Sequence, residues 1–133
     1  MMSVSVISLL GLIGWSILLT FLVVMVRGKS LLAGTTNFAQ DGSDLPGFAQ
    51  RVTRAHGNSL ENLAIPAALI LYGVATNQSA VTDGLAMFVL VARIGQSLVH
   101  LASAAFPAVL LRATLFVVQI VIWIIWSLNF YGG

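Results

Sequence analysis

The sequence predicts an all-α membrane protein, a bundle of four transmembrane helices. Three observations carry that fold class. Of 133 residues, 59% are hydrophobic and only 8% are charged, with a mean hydropathy of +1.00; a soluble domain carries about 25% charged residues to solvate its surface. The apolar residues fall into runs of roughly 20, the length that spans a bilayer as a helix. Turn chemistry separates the runs. The same composition excludes a disordered chain, which needs low hydrophobicity and high charge. A net charge of +2 without a basic stripe argues against nucleic-acid binding, despite a pI of 9.7. The absence of cysteine excludes disulfides, thiolate-bound metals and a cysteine nucleophile.

The first helix is expected over residues 3–26, because no charged residue precedes Arg27 and Lys29. It lacks the positive n-region and small-residue cleavage site of a signal peptide, so it reads as an uncleaved span. Residues 27–47 form the one long loop, with Gly28, Gly34, Asn37, Asp41, Gly42, Ser43, Asp44, Pro46 and Gly47 as its turn chemistry. The second helix is expected over 48–76, polar in its first turns and apolar from Leu63 to Ala75. Pro66 removes the hydrogen bond to the Asn62 carbonyl and predicts a kink there. A third helix over 84–105 follows a short polar turn. Pro107 then suits the first turn of a fourth, over 108–130. Trp15, Trp123 and Trp126 read as interface anchors or lipid-facing bulk, with Tyr131 beside them at the far end.

Cations set the orientation. Arg27, Lys29, Arg51 and Arg54 flank the first loop and Arg112 lies near the third connection, while the second has Asp83 and no Lys or Arg. The positive-inside rule puts the long loop in the cytoplasm and both termini outside it.

Charges within spans must face protein or water, since each costs ~2.5–3.5 kcal/mol at a helix centre. On the second helix Arg51, Arg54, Asn58 and Glu61 fall within roughly 80° of one another, with Asn62 beside them and His56 opposite. On the third, Arg93, Gln96, Ser97, His100 and Ser103 share a face; on the fourth, Arg112 and Gln119 do. Glu61 could neutralise Arg54 or Arg93, and Asn58 and Gln96 could join helices by hydrogen bonds, a purely structural role. One carboxylate still leaves a surplus of arginines, which favours an anionic ligand in the cytoplasmic half. Polar faces on three thin helices also favour a closed cyclic assembly of copies. Neither histidine has a second at metal-ligand spacing, so no metal site is expected.

The segment Arg51-Val-Thr-Arg54-Ala55-His56-Gly57-Asn58-Ser59-Leu60-Glu61-Asn62 resembles the signature of the superfamily of membrane-associated proteins in eicosanoid and glutathione metabolism. The shared pattern is Arg-x-x-Arg-Ala-x-x-Asn-x-x-Glu, and Ala92-Arg93 and Leu111-Arg112 also look like family features. The resemblance extends over nearly the whole chain and implies a homotrimer with glutathione bound between subunits near the cytoplasmic side. It implies Arg54, Asn58, Glu61 and Arg93 as glutathione contacts, and Gln96 and His100, on the face of the third helix that carries Arg93, complete the expected cofactor-binding set. It also makes Arg112 the candidate catalytic residue, a cation that favours the thiolate of the co-substrate. Gly57 stands where the prostaglandin-synthase branch has arginine, His100 where the eicosanoid enzymes have tyrosine, and Gln96 replaces another aromatic or histidine. The segment from Arg93 to Arg112 is also longer. The expected activity is therefore that of a bacterial-type glutathione transferase or peroxidase in the inner membrane, acting on a lipophilic small molecule from the bilayer. A non-catalytic membrane binding or scaffold protein of the same fold is the alternative. A channel is third, since the polar stripes stop about halfway.

Overall fold

A computed structural model of the chain describes residues 2–132 other than Thr36, Gln40, Asp41, Asp44 and Pro46. The turn chemistry read at Asp41, Asp44 and Pro46 thus lies outside the described residues. Five helices are formed: α1 (Val4–Leu32), α2 (Gly47–Glu61), α3 (Ala64–Ala75), α4 (Ala80–Ala102) and α5 (Phe106–Gly132).

The side chain of Ser3 caps α1, accepting the Val6 N–H. The helix does not stop where its charges begin. It continues through Arg27 and Lys29 to Leu32 and ends on Gly34, whose φ of 104° only glycine adopts freely. Gly34 donates to the Leu31 carbonyl and Thr35 to the Ser30 carbonyl, satisfying the last turn. A charge ends an apolar run without ending a helix, so the expected boundary at 26 falls short by about one and a half turns.

The expected second helix is divided. Pro66 has no N–H for the Asn62 carbonyl, and Asn62 and Leu63 form a turn between α2 and α3. Leu63 donates to Leu60 in a tightened turn, and Ala67 resumes the helical pattern by donating to Leu63. α3 ends on Asn77, at a φ of 58°, with Gln78 donating to Gly73 and Asn77 to Val74. Early closure of that turn lets α4 begin at Ala80 rather than 84. Ser103, in extended conformation, ends α4, and Pro107 sits in the first turn of α5.

The helices pack into one bundle in which α2 and α3 follow one another against α1 and α4, and α3 also meets α5. At one end the Ser5 amide and hydroxyl both donate to Asp83 Oδ1, at 2.9 and 2.6 Å, so a carboxylate of α4 seats against the positive N-terminus of α1. Tyr72 meets Phe130 edge-on at the same end, 5.0 Å between centroids. At the other end Arg51 Nε donates to the Leu101 carbonyl at 2.9 Å, capping the last turn of α4.

The core belongs to the first of these ends. Leu9 and Leu12 of α1, Ile70 of α3, Ala86 and Val89 of α4, and Ile122, Trp123 and Trp126 of α5 form one buried cluster. Trp126 is fully enclosed and Trp123 is 5% exposed. Both therefore pack inside the bundle instead of anchoring it at the interface, because they share a face with Gln119 that turns toward α3 and α4. α1, α4 and α5 are each long and apolar enough to cross a membrane. Their outer faces, with Ile17, Phe21, Phe88, Val91, Val117 and Leu128 exposed, offer the apolar surface that lipid solvates.

Candidate functional site

α2 is the polar element of the bundle. It buries Val52, Thr53, Ala55 and Ser59 against its neighbours and turns the rest of its circumference outward. Its position comes from three anchors. Ser59 contacts Ser16 at 3.3 Å, His56 contacts Thr20 at 2.9 Å, and Arg51 reaches the end of α4. Gly42, at a φ of 75°, folds the connecting segment onto Thr53 so closely that a Cβ would lie 2.9 Å from the Thr53 Cβ.

Asn58 is the hub. Its Oδ1 accepts from Arg93 Nη1 at 3.2 Å and from Gln96 Nε2 at 3.0 Å. Gln96 Oε1 in turn accepts from Gln119 Nε2 at 2.9 Å. The ladder joins α2, α4 and α5: two donors of α4 meet the Asn58 amide oxygen, and the Gln119 amide extends the line through Gln96. Arg93 is 2% exposed, Gln96 6% and Gln119 fully buried. A buried guanidinium is costly unless paired, and here it has an amide partner and no carboxylate. Among the described residues Glu61 makes no ion pair with Arg54 or Arg93; both Glu61 and Arg54 point outward. The possible pairing of Glu61 is thus corrected: the turn at Asn62 ends α2 at Glu61 and leaves that side chain on the open side, while Asn58 takes Arg93. Arg93 Nη2 and Gln119 Oε1 are buried without a partner among the described residues.

In front of this ladder lies a cleft of about 760 Å³, lined by Arg27, Thr53, Arg54, His56, Gly57, Asn58, Leu60, Glu61 and His100. Of the residues singled out from sequence, Arg54, Asn58, Glu61 and His100 line it, and Arg93 and Gln96 stand behind Asn58. Arg112 does not line it. It is half-buried in the second turn of α5, with Nε enclosed and unpartnered. Sequence reasoning missed Arg27 and His56. By sequence Arg27 is only a membrane-flanking cation; the extra turns of α1 carry it into the cleft, with its guanidinium 5.8 Å from the Phe38 ring centroid. His56 projects away from the polar stripe, as its spacing required, and the cleft reaches it because Gly57 offers no side chain between them. Arg51, on the polar face read for α2, is held by the Leu101 carbonyl at the end of α4.

Two arginines, one carboxylate, two imidazoles and an amide hub can hold a small zwitterionic ligand with excess negative charge. Among the described residues no group of three or more His, Asp or Glu could hold a metal ion.

Neither a curated protein nor a solved structure matches the chain. The MAPEG family matches over residues 5–130, nearly the whole length, including every residue of the ladder and the cleft. That coverage, with three helices apolar enough to cross a membrane, identifies an integral membrane protein, and the chain belongs to the MAPEG family.

Proposed function

We propose that this protein is a glutathione-dependent membrane transferase or peroxidase acting on a lipophilic electrophile that partitions from the bilayer. One observation carries the proposal: the charges lining the cleft complement glutathione. The tripeptide has two carboxylates and one ammonium group; the cleft has Arg27 and Arg54 with Glu61. Asn58 and His100 add hydrogen-bonding capacity, and the buried Arg93–Gln96 pair holds Asn58 in place. Arg112 is assigned the stabilisation of the thiolate. The assembly is a homotrimer of four-span subunits with both termini outside the cytoplasm and the cleft at its cytoplasmic half, in a bacterial inner membrane. The polar cleft at the Arg-rich end and the apolar outer faces support that arrangement.

The position of Arg112 outside the cleft lining favours the second reading, a non-catalytic membrane binding or scaffold protein. Titration calorimetry of purified protein with glutathione, followed by the ultraviolet thiolate band of the bound tripeptide, separates the two. A catalyst binds glutathione and raises the thiolate fraction near neutral pH. Arg112→Ala then leaves affinity within a few fold and raises the thiol pKa, each unit being ~1.4 kcal/mol of lost stabilisation. A scaffold gives no thiolate band, and an unchanged thiolate titration in Arg112→Ala removes the role given to that arginine.

A further inference from the structure

His56 has a role that the polar stripe of α2 did not suggest. Its Nε2 lies 2.9 Å from Thr20 Oγ1, and Thr20 Oγ1 lies 2.8 Å from the Ser16 carbonyl. A hydroxyl has a single proton. With that proton on the Ser16 carbonyl, Thr20 can only accept from the ring, so Nε2 carries hydrogen and Nδ1 is a bare lone pair. The imidazole lines the cleft, and Gly57 beside it leaves open space where a Cβ would meet nothing within 4 Å. The groups facing the same cleft are Arg27 of α1, Arg54 and Glu61 of α2, and His100 of α4. Among them a carboxylate is by nature a weaker base toward a thiol than an imidazole. The His100 ring makes no hydrogen bond among the described residues that would select its tautomer.

We propose that His56 is the proton acceptor for a thiol bound in this cleft, and that Thr20 positions it by holding the Nε2–H tautomer. The S–H bond breaks, its electron pair stays on sulfur, and the proton bonds to Nδ1, giving an imidazolium beside a thiolate. The cleft arginines favour the thiolate, which then attacks the electrophile, and the proton on Nδ1 passes to the product or to water. This is the logic by which an adjacent base activates a sulfur nucleophile. It rests on the reading of the cleft as a thiol site.

The test is the pH titration of the thiolate band at saturating glutathione in wild type, His56→Gln, Thr20→Val and Thr20→Ser, with glutathione Kd measured for each. His56→Gln is expected to keep Kd within about threefold and to shift the thiolate midpoint upward by at least about one pH unit. Thr20→Val shifts it less in the same direction, and Thr20→Ser restores the wild-type midpoint. Proton release on binding, followed with an indicator dye, is expected to be near zero in wild type, because the proton stays on His56. An unshifted midpoint in His56→Gln, or one proton released per thiolate by wild type, overturns the assignment and leaves glutathione binding intact. Loss of measurable glutathione binding in His56→Gln alone also overturns it, by making His56 a binding contact. Absence of binding to wild type removes both the site reading and this assignment.

Discussion

The two halves of the bundle are held together by different physics. Around Trp126 the packing is apolar and non-directional: the indole shares one buried cluster with Leu12, Ile70, Val89 and Ile122, and α3 supplies no charged residue at all. Around Asn58 the contacts are few and directional, with donors from α4 meeting one oxygen from α2 and a third amide extending the line to α5. In lipid the hydrophobic effect does not draw helices together, so the apolar half relies on close packing and the polar half on interhelical hydrogen bonds. Packing tolerates small errors of register. A hydrogen-bonded hub does not, and it leaves its outer side free for a ligand. The difference explains why the break at Asn62 and Leu63 is useful: α3 follows the packing of one half and α2 the hydrogen bonds of the other.

Removing the hub should have the largest effect. Asn58→Leu leaves Arg93 and Gln96 buried without their acceptor and is expected to cost about 3–5 kcal/mol. The double variant with Arg93→Met should be more stable than Asn58→Leu alone. Unfolding in mixed detergent micelles measures both, and simple additivity would show that the ladder does not act as a unit.

In the other half, Trp126→Ala opens a cavity. The expected cost is about 3 kcal/mol, the low end for a buried aromatic, because lipid removes the transfer contribution and leaves packing. Trp126→Phe should recover more than half of it. A Trp126→Ala loss exceeding that of Asn58→Leu in the same micelles would reverse the comparison.

Gly11 tests packing by addition. A Cβ there would lie 2.7 Å from Leu90 Cδ2, so Gly11→Ala forces Leu90 from its position at a cost of about 1–2 kcal/mol. Leu90→Ala in the same chain should relieve the clash, seen as a double-variant stability above the sum of the singles.

The smallest effect belongs to the carboxylate at the start of α1. Asp83→Asn keeps an acceptor for Ser5 but removes the charge from the helix N-terminus, an expected loss of about 0.5–1 kcal/mol. Hydrogen exchange confined to the first turn of α1 reports it, and equal loss of protection throughout α4 would mean that Asp83 supports more than a cap.

Membrane character and the Pro66 interruption were legible without coordinates because each depends on residues close in sequence; of the four runs read as spans, three correspond to helices long and apolar enough to cross a membrane, α1, α4 and α5. Spacing on α2 and α4 also assigned Arg54, Asn58, Glu61 and His100 to polar faces, and all four line the cleft. Spacing could not say which partner Arg93 would choose, since Asn58 and Glu61 are one turn apart on one face and only the rotation of α2 against α4 selects between them. Nor could it place Trp123 and Trp126 inside, because an indole near a helix end suits either an interface or a core, and the tilt of α5 decides. Arg27 and His56 entered the cleft for tertiary reasons: α1 continues past its first charge, and Thr20 of α1 meets the His56 ring. Local chemistry determined which residues had to avoid lipid. The packing of the five helices determined which of them would meet.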